Sequence, residues 1–375
     1  MTAIPDLRIP ADLLPADGRF GSGPSKIRPE QVAALAAVGS SLLGTSHRQK
    51  PVRALVGRIR AGVAALLRLP DEYEVVLGLG GSTAFWDVAT LCLVEHRSAH
   101  AEFGEFGAKF VGAAQRAPFL AEPHVVSAAP GSAVTPGPVA GADAYAWTHN
   151  ETSTGVMAPV RRDPGYGAAL VLVDATSAAG ALPVDVGQTD VYYFAPQKVL
   201  ASDGGLWLAV ASPAAVERAA RIEASGRWVP EFLSFSAAVS SSRADQTLNT
   251  PALATLVLLA EQLDWILGNG GLDWAVARSR ESAGHLYSWA QARDFASPFV
   301  ADEAARSTVV GTVDLLEPVE SATVAAVLRA NGVVDVDPYR RLGRNQLRVG
   351  MYPAVDPSDV LALTACVDWV VEHLS

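Results

Sequence analysis

Cysteine is nearly absent: the 375 residues contain two, Cys92 and Cys366, in neither CxxC nor metal-ligand spacing. That excludes a disulfide framework and a cysteine-built metal centre, and no metal site is expected. Both thiols fall in apolar, helix-patterned stretches, which predicts burial. Charge is scarce as well, with 29 basic and 39 acidic residues making up 18% of the chain. A net charge of -10 argues against nucleic acid as the main partner, so an anionic ligand must be met by a local group of arginines. A long uninterrupted apolar run is also missing. The most apolar stretch, Val75 to Val94, contains Gly80, Gly81, Ser82, Thr83 and Asp87, and reads as a buried strand entering a helix, with no membrane association expected. The first residues lack a basic segment followed by an apolar one, so no signal peptide is expected and the cytoplasm is the expected compartment.

What the chain does have is core material. Hydrophobic residues make up 50% of it, and its length suits about two domains. Residues 1–20, rich in Pro, Asp and Leu, read as an extended arm. Residues 21–267 alternate short apolar strands with helical patterns, the signature of an α/β domain with a mostly parallel, mixed sheet flanked by helices. Strands are expected at Tyr73–Gly78 and His124–Ser127 among others, and Gly226–Ser242 reads as irregular. The glycine-rich break at Leu267–Gly271 is the expected hinge, and 268–375 reads as a smaller C-terminal α+β domain that includes a strand at Ser307–Val313.

The chemistry centres on Ala168 to Val210. An apolar strand ends on Asp174, a second apolar run leads to Gln197 and Lys198, and a third follows Gly205. Between Asp190 and Glu217 the only ionisable groups besides tyrosines are Lys198 and Asp203. A lysine in such surroundings is desolvated, which lowers its pKa and supplies a neutral, nucleophilic amine near pH 7. An aspartate at a strand end with a lysine 24 residues later suits pyridoxal phosphate. The lysine would form the Schiff base and the carboxylate would hold the pyridine nitrogen protonated. Each residue alone also fits a plain structural role, and spacing does not settle the matter.

Other stretches carry two readings each. GLGGST (78–83) is either a helix cap or a phosphate-binding turn, and it matches neither a P-loop nor a full dinucleotide fingerprint. His47 and Arg48 precede a helix, as a phosphate grip or as a solvated loop. Phe103 and Phe106 open another helix, where core packing competes with stacking on a planar ligand. THNETSTGV (148–156) is a dense run of hydrogen-bonding side chains at a strand end, where open α/β sheets bind ligands. Arg340, Arg341, Arg344 and Arg348 concentrate positive charge against the acidic balance.

Taken in order, SGPSK (22–26), HR (47–48), GGS (80–82), GEFGAKF (104–110), NETSTG (150–155), DATSAAG (174–180), APQK (195–198), LNTP (248–251) and LRVGMYP (347–353) resemble the phosphoserine aminotransferases. These are fold-type I, class V pyridoxal-phosphate aminotransferases, and the resemblance spans nearly the whole chain. It implies transfer of an amino group between L-glutamate and 3-phosphooxypyruvate, giving 2-oxoglutarate and O-phospho-L-serine for serine biosynthesis. A side role with 3-hydroxy-2-oxo-4-phosphooxybutanoate in pyridoxine biosynthesis is also implied. Lys198 would carry the cofactor and shuttle the proton, Asp174 would pair with the ring nitrogen, and Thr152 would bond the phenolic oxygen. Gly81, Ser82, Thr176 and Gln197 match positions around the cofactor phosphate. Asn249 and Thr250 match residues that such homodimers donate to the partner's site. Arg348 matches the fork for the substrate carboxylate, while His47 and Arg48 match the clamp on the substrate phosphate. Where the family commonly has a stacking tryptophan the sequence has Phe106, and where arginine often follows the glycine turn it has Ser82. The basic pair is Arg340 and Arg341 across a small shift. These departures resemble an actinobacterial-type branch. The rival readings are another class V enzyme of the alanine–glyoxylate or cysteine desulfurase kind, a nucleotide- or NAD-binding protein built on GLGGST, and a non-catalytic protein that holds the cofactor.

Overall fold

The computed structural model describes residues 7–374; of the expected arm, residues 1–6 lie outside the described residues. Helices α1 (Pro29–Leu42) and α2 (Lys50–Leu67) lead to strand β1 (Glu74–Leu79), which passes into α3 (Gly81–Cys92). Next come β2 (Ser98–Glu102), α4 (Glu105–Gln115), β3 (His124–Ser127), β4 (Ala144–Thr148) and a two-residue pair, β5 (Asn150–Glu151) and β6 (Val156–Met157). Strands β7 (Leu170–Asp174), β8 (Val191–Phe194) and β9 (Leu206–Ala211) follow, then α5 (Pro213–Ala224), α6 (Phe235–Arg243), α7 (Leu253–Gly268) and α8 (Gly271–Gln291). The C-terminal part holds β10 (Ala296–Pro298), β11 (Val310–Leu315), α9 (Ser321–Ala330), β12 (Gln346–Gly350) and α10 (Pro357–His373).

The main sheet has the order β1-β9-β8-β7-β4-β2-β3, and only β9 runs against its neighbours. This is the mixed, mostly parallel α/β architecture expected. Its central strands are apolar throughout because both faces are covered. On β9, Leu206, Leu208 and Val210 join the core under α2 and α7, while Trp207, Ala209 and Ala211 join the core under α3, α5 and α6. A second sheet, β10-β11-β12, packs with α8, α9 and α10 around a separate apolar cluster. Helix α8 serves both, since Leu272, Ala275 and Val276 belong to the first core and Ala283, Leu286 and Tyr287 to the C-terminal one.

Three local expectations need correction. Gly226–Ser242 is not irregular throughout, because α6 forms within it. Ser234 caps that helix by accepting from the Ala237 N–H at 3.1 Å, and Phe235, Ala238, Val239 and Ser242 form a buried stripe at helical spacing. The strand expected from Ser307 starts at Val310, because the Ser307 hydroxyl accepts the Val309 and Val310 N–H groups and turns the chain there. The short edge strand β10 was not expected at all.

The described part of the arm packs on the C-terminal cluster through Ile9 and Phe20. Its backbone is tied at Val334 N–H to Gly18 O (2.8 Å) and at Gly350 N–H to Phe20 O (2.7 Å). A side chain at Gly350 would run into the Gly21 and Phe20 carbonyls. Gly350→Ala is therefore expected to cost about 1–3 kcal/mol, as overpacking does. Chemical denaturation and the rate of tryptic cleavage at Arg19 check this; unchanged values for both would show that the arm is not fastened at this point.

Candidate active site

The carboxyl ends of β1, β2, β4, β7 and β8 open on one cleft of about 930 Å³. Such a position is the ordinary ligand site of an open α/β sheet. At the end of β1 the chain turns through Gly80 (φ 106°) and Gly81 (φ 72°), left-handed conformations that side chains rarely adopt. The turn delivers the N-terminus of α3 to the cleft. There the Ser82 and Thr176 hydroxyls lie 2.6 Å apart, so helix dipole, free N–H groups and hydroxyls converge where an anion is favoured.

Asp174 closes β7. Its Oδ1 accepts from the Thr176 N–H (2.9 Å) and hydroxyl (2.5 Å), and its Oδ2 accepts from the Trp86 indole (3.2 Å). Lys198 follows β8 and is buried, its Nζ donating to the Thr152 hydroxyl at 2.8 Å. Burial pushes the Lys198 amine down to about 8, against the pull of Asp174 and Glu151, while Arg348 and Lys109 lower it further. A Cβ at Gly23 would come within 2.7 Å of Lys198 Cε, so the SGPSK segment is cut to fit the lysine. Thr152 is held in turn, its hydroxyl 2.9 Å from that of Ser177 and its carbonyl accepting from Arg348 at 3.2 Å. Burial lowers the pKa of Arg348, and its Nε is buried without a hydrogen-bond partner among the described residues. Its guanidinium lies 5.2 Å from the centre of the Tyr339 ring.

Phe106 stands in the first turn of α4 with its ring centre 4.8 Å from Lys198 Nζ. The strand-end loop fixes it. The Glu151 carboxylate, fully buried, accepts the N–H groups of Phe106 and Gly107 (both 3.1 Å), and the Ser153 hydroxyl at 2.6 Å. Gly104 has no side chain, and a Cβ there would collide with Glu151. Burial raises the Glu151 pKa, and the four donors around the carboxylate oppose that shift.

The cleft therefore brings together Gly81, Ser82, Phe106, Thr152, Asp174, Thr176, Gln197, Lys198, Arg340, Arg341 and Arg348. It does not bring in His47, Arg48, Asn249 or Thr250, which do not line it. His47 Nδ1 instead meets the Thr250 hydroxyl at 3.1 Å on the exposed surface. Within one chain, the substrate and cofactor contacts expected of these four are thus absent. Arg48, Asn249 and Thr250 are exposed and His47 is half-buried. Sequence reasoning missed Trp86, Glu151, Tyr339 and Lys109. Glu151 was hidden in a run read only as polar, whereas Lys109, three residues after Phe106 on a helix, was findable from spacing. No group of three metal-ligating side chains exists among the described residues.

A class V aminotransferase family model matches residues 140–336. The chain is 64% identical to a putative phosphoserine aminotransferase of Mycolicibacterium vanbaalenii over 98% of its length and 99% of the relative's. It is 62% identical to a phosphoserine aminotransferase of a Nocardioides species, covering 98% and 99% of the two chains. Among solved structures, the phosphoserine aminotransferase of Cytophaga hutchinsonii superposes with a TM-score of 0.86 at 22% identity, covering 94% of this chain and 99% of that one. The alanine–glyoxylate aminotransferase of a Nostoc species gives 0.78 at 20%, covering 98% and 97%. At these identities the structures share the fold only.

Glu151→Ala leaves two N–H groups at the start of α4, and the N–H and hydroxyl of Ser153, without an acceptor. A loss on the order of 3 kcal/mol is expected, measured by urea unfolding, with Glu151→Gln recovering part of it. A neutral result would separate α4 from its proposed anchor.

Proposed function

The chain belongs to the class V aminotransferases and, within them, to the phosphoserine aminotransferases, and on that premise we propose how its own residues carry out the exchange. The reaction moves an amino group between L-glutamate and 3-phosphooxypyruvate, yielding 2-oxoglutarate and O-phospho-L-serine, and it uses pyridoxal 5'-phosphate. The observation that carries the reading is a buried amine, Lys198, facing a strand-end carboxylate, Asp174, across a cleft rimmed by arginines.

The residues present fit the cofactor. The Asp174 carboxylate would take the ring nitrogen, the Phe106 ring one face, and the Thr152 hydroxyl the phenolic oxygen. Gly81, Ser82, Thr176 and Gln197 would surround the phosphate, and the Gln197 Oε1 is buried without a partner among the described residues. When bound, the cofactor supplies an electron sink for the bond broken at the substrate Cα.

Lys198 would hold the cofactor, and its amine is the base placed to take the Cα proton. Its amine is already half-neutral near pH 8, close to the value general-base work favours. Arg348 offers a planar fork for the α-carboxylate, and the Thr152 carbonyl orients it. Arg340 and Arg341 face the phosphoryl group. The same cleft would take 3-hydroxy-2-oxo-4-phosphooxybutanoate, which carries the same two anionic ends.

The unit that works is a homodimer in this reading. His47 and Arg48 of the partner subunit complete the substrate-phosphate clamp, and Asn249 and Thr250 of the partner subunit reach the cofactor phosphate. Two features support this: His47 and Thr250 already meet outside the cleft. In addition, the adjoining α1 region exposes Val32, Val38 and Leu43, apolar surface that a second copy would cover. No helix among the described residues is long and apolar enough to cross a membrane, and both cysteines are free and buried, which suits the cytoplasm.

Single-turnover spectroscopy of the loaded enzyme tests the assignment. O-phospho-L-serine and L-glutamate should each convert the cofactor to its amino form, and L-alanine should do so at least about 100-fold more slowly, the worth of a lost charged contact. Conversion by alanine with none by phosphoserine would move the chain to the alanine–glyoxylate type.

A further inference from the structure

The cleft contains one cation, within the GEFGAKF stretch, to which no role has yet been given. Lys109 stands one helical turn after Phe106 on α4 and lines the cleft together with Arg340 and Arg341. Its Nζ lies 5.1 Å from the centre of the Phe106 ring, the same ring that Lys198 Nζ approaches to 4.8 Å. The Lys109 side chain thus stands at the rim of the cleft, which it lines together with a neighbouring pocket shared by Glu105 and Arg341.

A single carboxylate organises this rim. Glu105 Oε1 is 3.5 Å from Lys109 Nζ and also takes the Arg341 guanidinium. Two cations that share one acceptor oxygen are close enough for the peripheral oxygens of one phosphoryl group to engage both. One negative charge against two positive ones leaves a local excess of cation, on a chain whose net charge is -10. A phosphate dianion carries about twice the charge of a carboxylate monoanion and so gains more from such a pair. The Lys109 side chain is 42% exposed, so substrate can reach it and its replacement does not disturb the core.

We propose that Lys109 is a specificity-determining residue: its ammonium group, held beside Arg341 by Glu105, binds the phosphoryl group of the incoming amino or oxo acid. This rests on the phosphorylated-substrate reading above. It adds to the substrate site a cation that comes from the same chain as Lys198. The rival role for Lys109 is support of the Phe106 ring, which would affect every substrate alike.

The test compares wild type, Lys109→Gln and Lys109→Arg as loaded enzymes. In Lys109→Gln the ratio of kcat/KM for O-phospho-L-serine to that for L-glutamate should fall about 10–100-fold, the worth of a hydrogen bond to a charged group. Inhibition by inorganic phosphate should weaken about tenfold or more by the same reasoning. Lys109→Arg should restore most of both. An equal fall for the two substrates, with phosphate inhibition unchanged, would overturn the proposal in favour of ring support. A wild-type enzyme that converted L-alanine but not O-phospho-L-serine would bring down the functional reading itself, and this proposal with it.

Discussion

Placing an amine where little water surrounds it is the constraint around which the site is built. An ammonium group loses hydration on burial, and in this chain burial outweighs the attraction of Asp174 and Glu151, so Lys198 is held well below an ordinary lysine. The same balance explains the neighbourhood. Asp174 is close enough to matter yet is engaged by Thr176 and Trp86, and Thr152 accepts the hydrogen bond of the amine. Gly23 leaves the space that the stem of the lysine fills. An amine free to act as nucleophile or base at neutral pH is the outcome.

The fold supplies the positions. Four of the five strands that reach the cleft, β2, β4, β7 and β8, run parallel, so their carboxyl ends share one edge, and β1 points the same way although it pairs with the reversed β9. Each strand end contributes a different function: a glycine turn, an aromatic ring, a hydroxyl, a carboxylate and an amine. Glu151 connects two of them. It sits beside Thr152 in sequence and caps the helix that presents Phe106, so the ring and the hydroxyl proposed to meet the cofactor are tied to one buried carboxylate.

Much of this was legible in the sequence. Asp174 and Lys198 stood out because charge is rare in that region, and the apolar strands around them were continuous. The glycine turn was visible as a turn, and its reading as a phosphate site comes from the resemblance carried by the chain's other residues. What escaped was tertiary. Glu151 satisfies N–H groups 44 and 45 residues away, and Trp86 reaches Asp174 across 88 residues, separations that no local pattern encodes. Helix α6 was lost among serines because one of them, Ser242, is buried against β1, where its hydroxyl accepts the Leu77 N–H at 3.0 Å. The roles of His47, Arg48, Asn249 and Thr250 came from resemblance. The single chain explains why pattern could not give them, since they lie together on an outer surface.

The most direct measurement is chemical trapping of the lysine. Protein freed of cofactor is incubated with pyridoxal phosphate across a pH series, reduced with borohydride, and mapped by peptide mass spectrometry. The expected result is one modified residue, Lys198, with labelling that rises as pH increases through about 8, where the buried amine loses its proton. Labelling spread over surface lysines, or at Lys198 only near the ordinary lysine value of about 10.4, would contradict a buried, neutral amine at the centre of the site.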